Sequence, residues 1–225
     1  MPGLDPGIHD ESQCGMALVV MDLRPGLMDC RVKPGNDREG WLDMLRPLTL
    51  ALVLLTSSPA FAFEGENLLV SMPQGYKVGY QQKKTNAQIT EMVPSGETVE
   101  GWTEMVTVQV FTGMKGVTPD QFRTRMVTSW SNACANAVAG PPTRAVENGY
   151  RIAFWMMSCP LNKQSGKPET TWFKAIQGQD SFYVVQKAFK FDPSQDQIVQ
   201  WTLYLKKVGV CDTRLKERAC PPGLR

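Results

Sequence analysis

Between Met44 and Ala62 the chain carries a basic start, Met44-Leu45-Arg46, and an apolar core, LTLALVLL over 48–55. Thr56-Ser57-Ser58-Pro59 then breaks the core, and Ala60-Phe61-Ala62 supplies small residues at the −3 and −1 positions of a cleavage site. These are the three parts of a secretory signal peptide. The core is far shorter than the ~20 apolar residues a membrane-crossing helix needs. No Cys follows it to take a lipid, and Pro47 and Pro59 argue against a buried helix. This segment decides what the chain can fold into. Cleavage after Ala62 leaves 163 of the 225 residues, one domain's worth of chain and long enough for an ordinary core. Translation from at or near Met44 puts the signal at the N-terminus; a start at Met1 leaves it internal.

Residues 1–43 read as an extension foreign to the domain. Pro-Gly recurs at Pro2-Gly3, Pro6-Gly7, Pro25-Gly26 and Pro34-Gly35, and no apolar period of 2 or 3.6 persists. The strings PGLDPGIHD and DCRVKPGNDREG resemble the mistranslated product of a repeat element common in some bacterial genomes. The alternative is a genuine disordered extension. Either way, these residues are expected to be extended coil, apart from a possible turn of helix near Met16–Met21, and to pack against nothing.

Charge and composition exclude several functions. The chain has 24 Lys+Arg against 22 Asp+Glu and a single histidine, His9, which lies upstream of the cleavage site. The portion after Ala62 has 19 basic and 14 acidic residues, net +5, and no histidine. That balance gives no case for nucleic acid. The lack of His removes a Ser-His-Asp triad and any His-activated cysteine nucleophile. No phosphate-cradling glycine motif or dinucleotide fingerprint occurs, so no cofactor is implied.

The exported portion alternates between strand and helix grammar. Leu68-Leu69-Val70 opens the sheet, Tyr76 to Gln81 alternates as a half-buried strand, and Ala87 to Val93 returns after the turn Lys83-Lys84-Thr85-Asn86. Trp102 to Phe111 is the clearest strand. Thr118-Pro119-Asp120-Gln121 starts a helix with an N-cap, a first-turn proline and a capping box. Its stripe is Phe122, Met126, Trp130, Ala133 and Ala137, and Gly140-Pro141-Pro142 ends it. Asn148-Gly149 predicts a type I′ hairpin between 143–147 and 150–158. A second hairpin joins 170–177 to 181–190. The run 152–157 is apolar on both faces and predicts a central strand. Asp192-Pro193-Ser194-Gln195 opens a second helix with the stripe Ile198, Trp201, Leu205 and Val208, ended by Gly209. Capping preference accounts for the similar helix starts without duplication. The fold class is α+β: an antiparallel β-sheet with two packed helices, order βββ-α-ββββ-α, in a single domain over 63–225.

That element order resembles the PsbP-like α/β sandwich of uncharacterised secreted bacterial proteins. The resemblance spans about 160 residues and carries no diagnostic motif. It implies a secreted or lumenal α/β sandwich and assigns no residue a role.

Four cysteines follow the cleavage site: Cys134, Cys159, Cys211 and Cys220. An even count in an exported chain reads as two disulfides, with three possible connectivities. Direction favours Cys134–Cys159, because Cys134 adjoins the helix stripe and Cys159 shares a strand face with Trp155 and Met157. Locality favours Cys211–Cys220. No Cys-x-x-Cys pair supports zinc, so no metal is expected.

Carboxylates remain as chemistry. Glu97, Glu100 and Glu104 cluster around Gly101-Trp102, and two of them could serve as glycosidase acid and base, although a solvated loop and strand edge explains them more simply. Trp102 and Trp172 are candidate binding residues if an exposed pair lines a groove, with core packing as the simpler role. Lys83 and Lys84 are most simply a solvated hairpin tip, although an anionic envelope surface could use them. The leading reading is a non-enzymatic periplasmic or secreted domain that binds a protein or envelope component. The alternatives are an envelope-glycan hydrolase using carboxylates and an inhibitor or immunity-type protein.

Overall fold

The computed structural model describes residues 64–222. The expectations for residues 1–43 and for the signal segment 44–62 lie outside the described residues.

Ten strands and two helices follow one another as β1 (Glu66–Leu69), β2 (Tyr76–Lys83), β3 (Ala87–Pro94), β4 (Glu104–Thr112), α1 (Pro119–Ala133), β5 (Val138–Ala139), β6 (Thr143–Glu147), β7 (Tyr150–Cys159), β8 (Glu169–Gln177), β9 (Ser181–Phe189), α2 (Gln195–Lys207) and β10 (Gly209–Asp212). The large sheet has the order β2-β3-β4-β9-β8-β7, and β5 and β6 share the far edge of β7. All of its pairs are antiparallel. The α+β class, with an antiparallel sheet and two packed helices in a single domain, is the observed one.

Period-2 alternation gives the sheet two different faces. Across one face the register aligns Met92, Val106, Lys187, Trp172 and Met156. α2 packs on this face through Trp201 and Leu205, joined by Val208 and Val210. Across the other face it aligns Glu91, Thr107, Gln186, Phe173 and Trp155. α1 lies on that side. Its Trp130 ring is 6.0 Å from Phe173 and its Phe122 ring 5.1 Å from Phe182. One helix therefore covers each face.

Both helices begin with reciprocal capping boxes. Gln121 N donates to Thr118 Oγ1 at 3.2 Å, and Thr118 N donates to Gln121 Oε1 at 2.9 Å. In α2 the cap is Ser194 with Gln197, two residues later than the Thr-Pro-Asp-Gln analogy places it. Asp192 and Pro193 stay outside the helix, and Asp196 sits in the first turn, where a negative charge suits the helix dipole. α1 ends at Ala133, short of Ala137, because Cys134 turns to extended backbone and bonds Cys159 on β7. The end of α2 is held from the sheet. Lys174 Nζ donates to the carbonyl of Val208 at 2.6 Å and pairs with Glu147 Oε2 at 2.5 Å, a cation on orphan helix carbonyls.

Three sequence expectations are corrected. The segment at Leu68 does not open the main sheet; β1 pairs with β10 in a separate two-stranded sheet on the α2 side. Gly209, expected to end α2, therefore starts a strand. The apolar run of β7 lies near an edge rather than at the centre, which is β4 and β9. Its outer edge is covered by the short strands β5 and β6, and α1 buries one of its faces.

Two turns lock the small sheet in place. Asn148 and Gly149 both take positive φ, 48° and 77°, as a type I′ turn requires. Asn148 Nδ2 also donates to the carbonyl of Val210 at 3.0 Å. At the β8–β9 turn, the Glu66 carboxylate accepts from the backbone N–H of Gln179, Asp180 and Ser181 at 2.6, 3.2 and 3.2 Å, and from the Tyr183 hydroxyl at 2.9 Å. A Cβ at Gly178 would collide with the Glu66 carboxylate and with the Ser181 carbonyl, so the turn needs glycine for close approach.

Candidate functional site

The three glutamates around Gly101-Trp102 do not converge on a cleft. Glu104 opens β4 and points under α2, where its Oε2 accepts from Lys187 Nζ at 2.6 Å and from the Tyr76 hydroxyl at 2.8 Å. Lys187 also donates to the Tyr76 oxygen at 2.6 Å. Glu97 accepts from the Thr103 hydroxyl and from Thr103 N at 2.7 Å, closing its own loop. Glu100 stands exposed. Burial pushes the Glu97 carboxyl up. The Thr103 bonds, the Glu104 backbone N–H and the Lys187 charge outweigh burial and hold it below the usual range.

The Lys187 ammonium is the centre of a closed cluster. Its side chain is 0 % exposed. Its Nζ lies 3.8, 4.5 and 4.9 Å from the ring centroids of Trp201, Phe189 and Tyr76. Such rings offer the negative faces that stabilise a desolvated cation. Burial lowers the Lys187 pKa; the Glu104 bond and charge, with the Glu97 charge, oppose that, leaving it at about 8. Tyr76 is pushed strongly upward, first by burial and then by its bond to Glu104 and that carboxylate's charge. Every polar partner in this cluster is internal, so it pins α2 to the sheet.

The candidate binding residues fall in separate places. Trp102 is 9 % exposed and packs with Val93, Met105 and Ala188 on the α1 side. Trp172 is half-buried on the α2 side, edge-on to Phe189 at 5.9 Å. The two indoles are thus on opposite faces and share no groove. Lys83 and Lys84 are exposed at the β2–β3 hairpin tip, where Lys84 N donates to the carbonyl of Ala87. The structure bonds Cys134 to Cys159 and Cys211 to Cys220, with Cα separations of 5.9 and 4.9 Å.

A second polar group lies on the α1 face. Glu91 is 6 % exposed, and among the described residues its Oε1 has no hydrogen-bond partner. The register sets Tyr80 beside it on β2, Thr107 on β4 and Gln186 beyond on β9. Gln109, also buried, is one row away on the same face. Burial alone raises the Glu91 pKa to about 7. A buried polar atom without a partner is uncommon in folded proteins and calls for an explanation. The row is flanked by α1, which packs mainly on β7 and β8, and by the cluster of Trp102, Val99 and Val93. Hydroxyl, amide and carboxyl groups side by side can hold a polar ligand by hydrogen bonds. Among the described residues no group of three or more His, Cys, Asp or Glu is placed to hold a metal ion.

Sequence reasoning passed over Lys174, Lys187 and Glu91, though a signal existed. Each is a charge at an inward position of an otherwise apolar alternation: Lys187 with Val185 and Phe189, Lys174 with Trp172 and Ile176, Glu91 with Ile89 and Val93.

No protein-family model matches the chain, and no curated protein matches it. Solved structures similar to it include the Ran-binding protein Mog1p of Saccharomyces cerevisiae and a variant of protein Mog1. Each has a TM-score of 0.39 at 14% identity and covers 61% of this chain and 78% of the other. LpqN, involved in cell envelope biogenesis of Mycobacterium tuberculosis, has a TM-score of 0.36 at 10% identity, over 69% of this chain and 86% of its own. Likeness at this level leaves the reading of the site to the chain's own residues.

Proposed function

We propose that this chain is an exported domain whose work is binding rather than turnover, and that a protein or envelope component docks on the α1 face at Glu91, Thr107 and Gln186. The observation that carries the reading is a contrast between carboxylates. Glu104 and Glu97 have internal partners, while the buried Oε1 of Glu91 has none. Two disulfides support an oxidising compartment, periplasmic or secreted. No helix among the described residues is long and apolar enough to cross a membrane. We infer a PsbP-like sandwich on the same footing, supported by one helix on each face of an antiparallel sheet.

The test incubates the full chain with isolated cell-envelope fractions and follows two readouts, retention of the chain and release of soluble glycan. The reading expects saturable retention without release, and loss of retention in a Thr107→Val, Gln186→Leu double variant. Glycan release that disappears in Glu97→Gln, with the thermal midpoint unchanged, would instead establish the hydrolase.

A further inference from the structure

The Glu91 row also points to the charge of what it binds. Four features bear on this. The carboxyl sits among neutral hydrogen-bonding groups, Thr107, Gln109 and Gln186, rather than beside a cation. Burial raises its pKa, and among the described residues no basic side chain pairs with it. The aromatic ring of Tyr80 is its direct cross-strand neighbour on the same face. Finally, Glu91 and Thr107 are 6 % and 3 % exposed while Gln186 beside them is only half-buried, so the row meets the surface at Gln186.

A desolvated carboxylate without a counter-charge is costly, and that cost falls when a cation arrives with its own hydrogen bonds. An ammonium supplies three donors, enough for the Glu91 carboxylate and the oxygens of Thr107 and Gln186. A neighbouring aromatic ring also favours a cation. A divalent metal is a poor fit, because one carboxylate with amide and hydroxyl oxygens falls short of the anionic ligand sets such ions take.

We propose that the Glu91 row is a receptor for a primary ammonium group, with Glu91 as its counter-ion and Thr107 and Gln186 as the flanking acceptors. This rests on the binding function proposed above and names the chemistry of its ligand. The ammonium can come from a small polyamine or from a lysine side chain of a partner protein.

Calorimetric titration of the full chain at about pH 8, where the carboxyl is ionised and amines keep their charge, tests it with three probes. These are putrescine, a blocked Gly-Gly-Lys-Gly-Gly pentapeptide, and the same peptide with norleucine in place of lysine. Binding of putrescine or of the lysine peptide, with none of the norleucine peptide, is the expected result. Putrescine alone marks a polyamine, and the lysine peptide alone marks a protein partner. Glu91→Gln, close to isosteric, should weaken binding by about tenfold or more, at least ~1.4 kcal/mol, with a thermal midpoint at or above that of the wild type. Thr107→Val should weaken it less. Equal binding of the norleucine peptide, unchanged affinity in Glu91→Gln, or no binding of either amine overturns the proposal. If neither amine binds yet envelope retention still depends on Thr107 and Gln186, the binding function stands and only the ammonium chemistry fails.

Discussion

Lys187 Nζ lies 2.6 Å from Glu104 Oε2 beneath α2, a fully buried cation held by one carboxylate, one phenol and three aromatic rings. Breaking such a pair leaves a charge without its partner in a low-dielectric site, which costs about 3–5 kcal/mol, whereas replacing both charges with apolar side chains of similar volume can be near neutral. Glu104→Ala should therefore destabilise the domain by several kcal/mol in urea unfolding, and the Glu104→Leu, Lys187→Met double variant by much less. Equal losses in the two variants would show that packing, rather than the buried charge, dominates the cluster.

The pH dependence of stability has two opposed contributions. The folded pKa of Lys187 is about 8, against 10.5 ordinarily. Between those values the unfolded chain keeps a proton that the folded chain has released, so rising pH favours the fold. Glu91 behaves in the opposite sense. Its folded pKa is about 7, against 4.5 ordinarily, so the stability it lends is full below 4.5 and lost as pH rises through 7. Urea midpoints measured across this range should show wild type gaining on Lys187→Met above pH 8 and losing to Glu91→Gln between 4.5 and 7. Parallel curves would contradict both assignments.

The small sheet depends on Gly178. Gly178→Ala should expel the Glu66 carboxylate from its three backbone donors, at a cost above the ~0.5 kcal/mol of an ordinary surface change. Hydrogen exchange should then quicken in β1 and β10 before it does in the large sheet. Unaltered exchange in β1 would separate the turn from the small sheet.

The disulfides close loops with sequence separations of 25 and 9 residues. Loop-closure entropy assigns them roughly 3.5 and 2.6 kcal/mol. Paired Cys→Ser variants should follow that order in chemical unfolding. Reduction of Cys211–Cys220 should loosen the Lys216–Arg218 turn while β10 stays paired with β1.

Alternation and capping residues are local, and for that reason strands such as 104–112 and the start of α1 at Pro119 could be read from the sequence. The partner of a short edge strand is set by long-range packing. Leu68 gave no hint that it pairs with Val210, more than a hundred positions away. The site was harder still. Glu97, Glu100 and Glu104 drew attention because they are close in sequence, yet strand direction and loop closure send them to different places. Glu91 breaks the apolar alternation of Ile89 and Val93, but its companions appear only when its strand is laid against β4 and β9, where Thr107 and Gln186 join it from distant parts of the chain.

Hydroxyl-radical footprinting of the full chain with a saturating envelope fraction tests the location of binding most directly. Tyr80 flanks the Glu91 row on the α1 face, and Val199 and Leu203 are exposed on the outer side of α2. Docking on the Glu91 row protects Tyr80 and leaves the labelling of Val199 and Leu203 unchanged. Protection of Val199 and Leu203 with Tyr80 unchanged would place the ligand on α2 and contradict it.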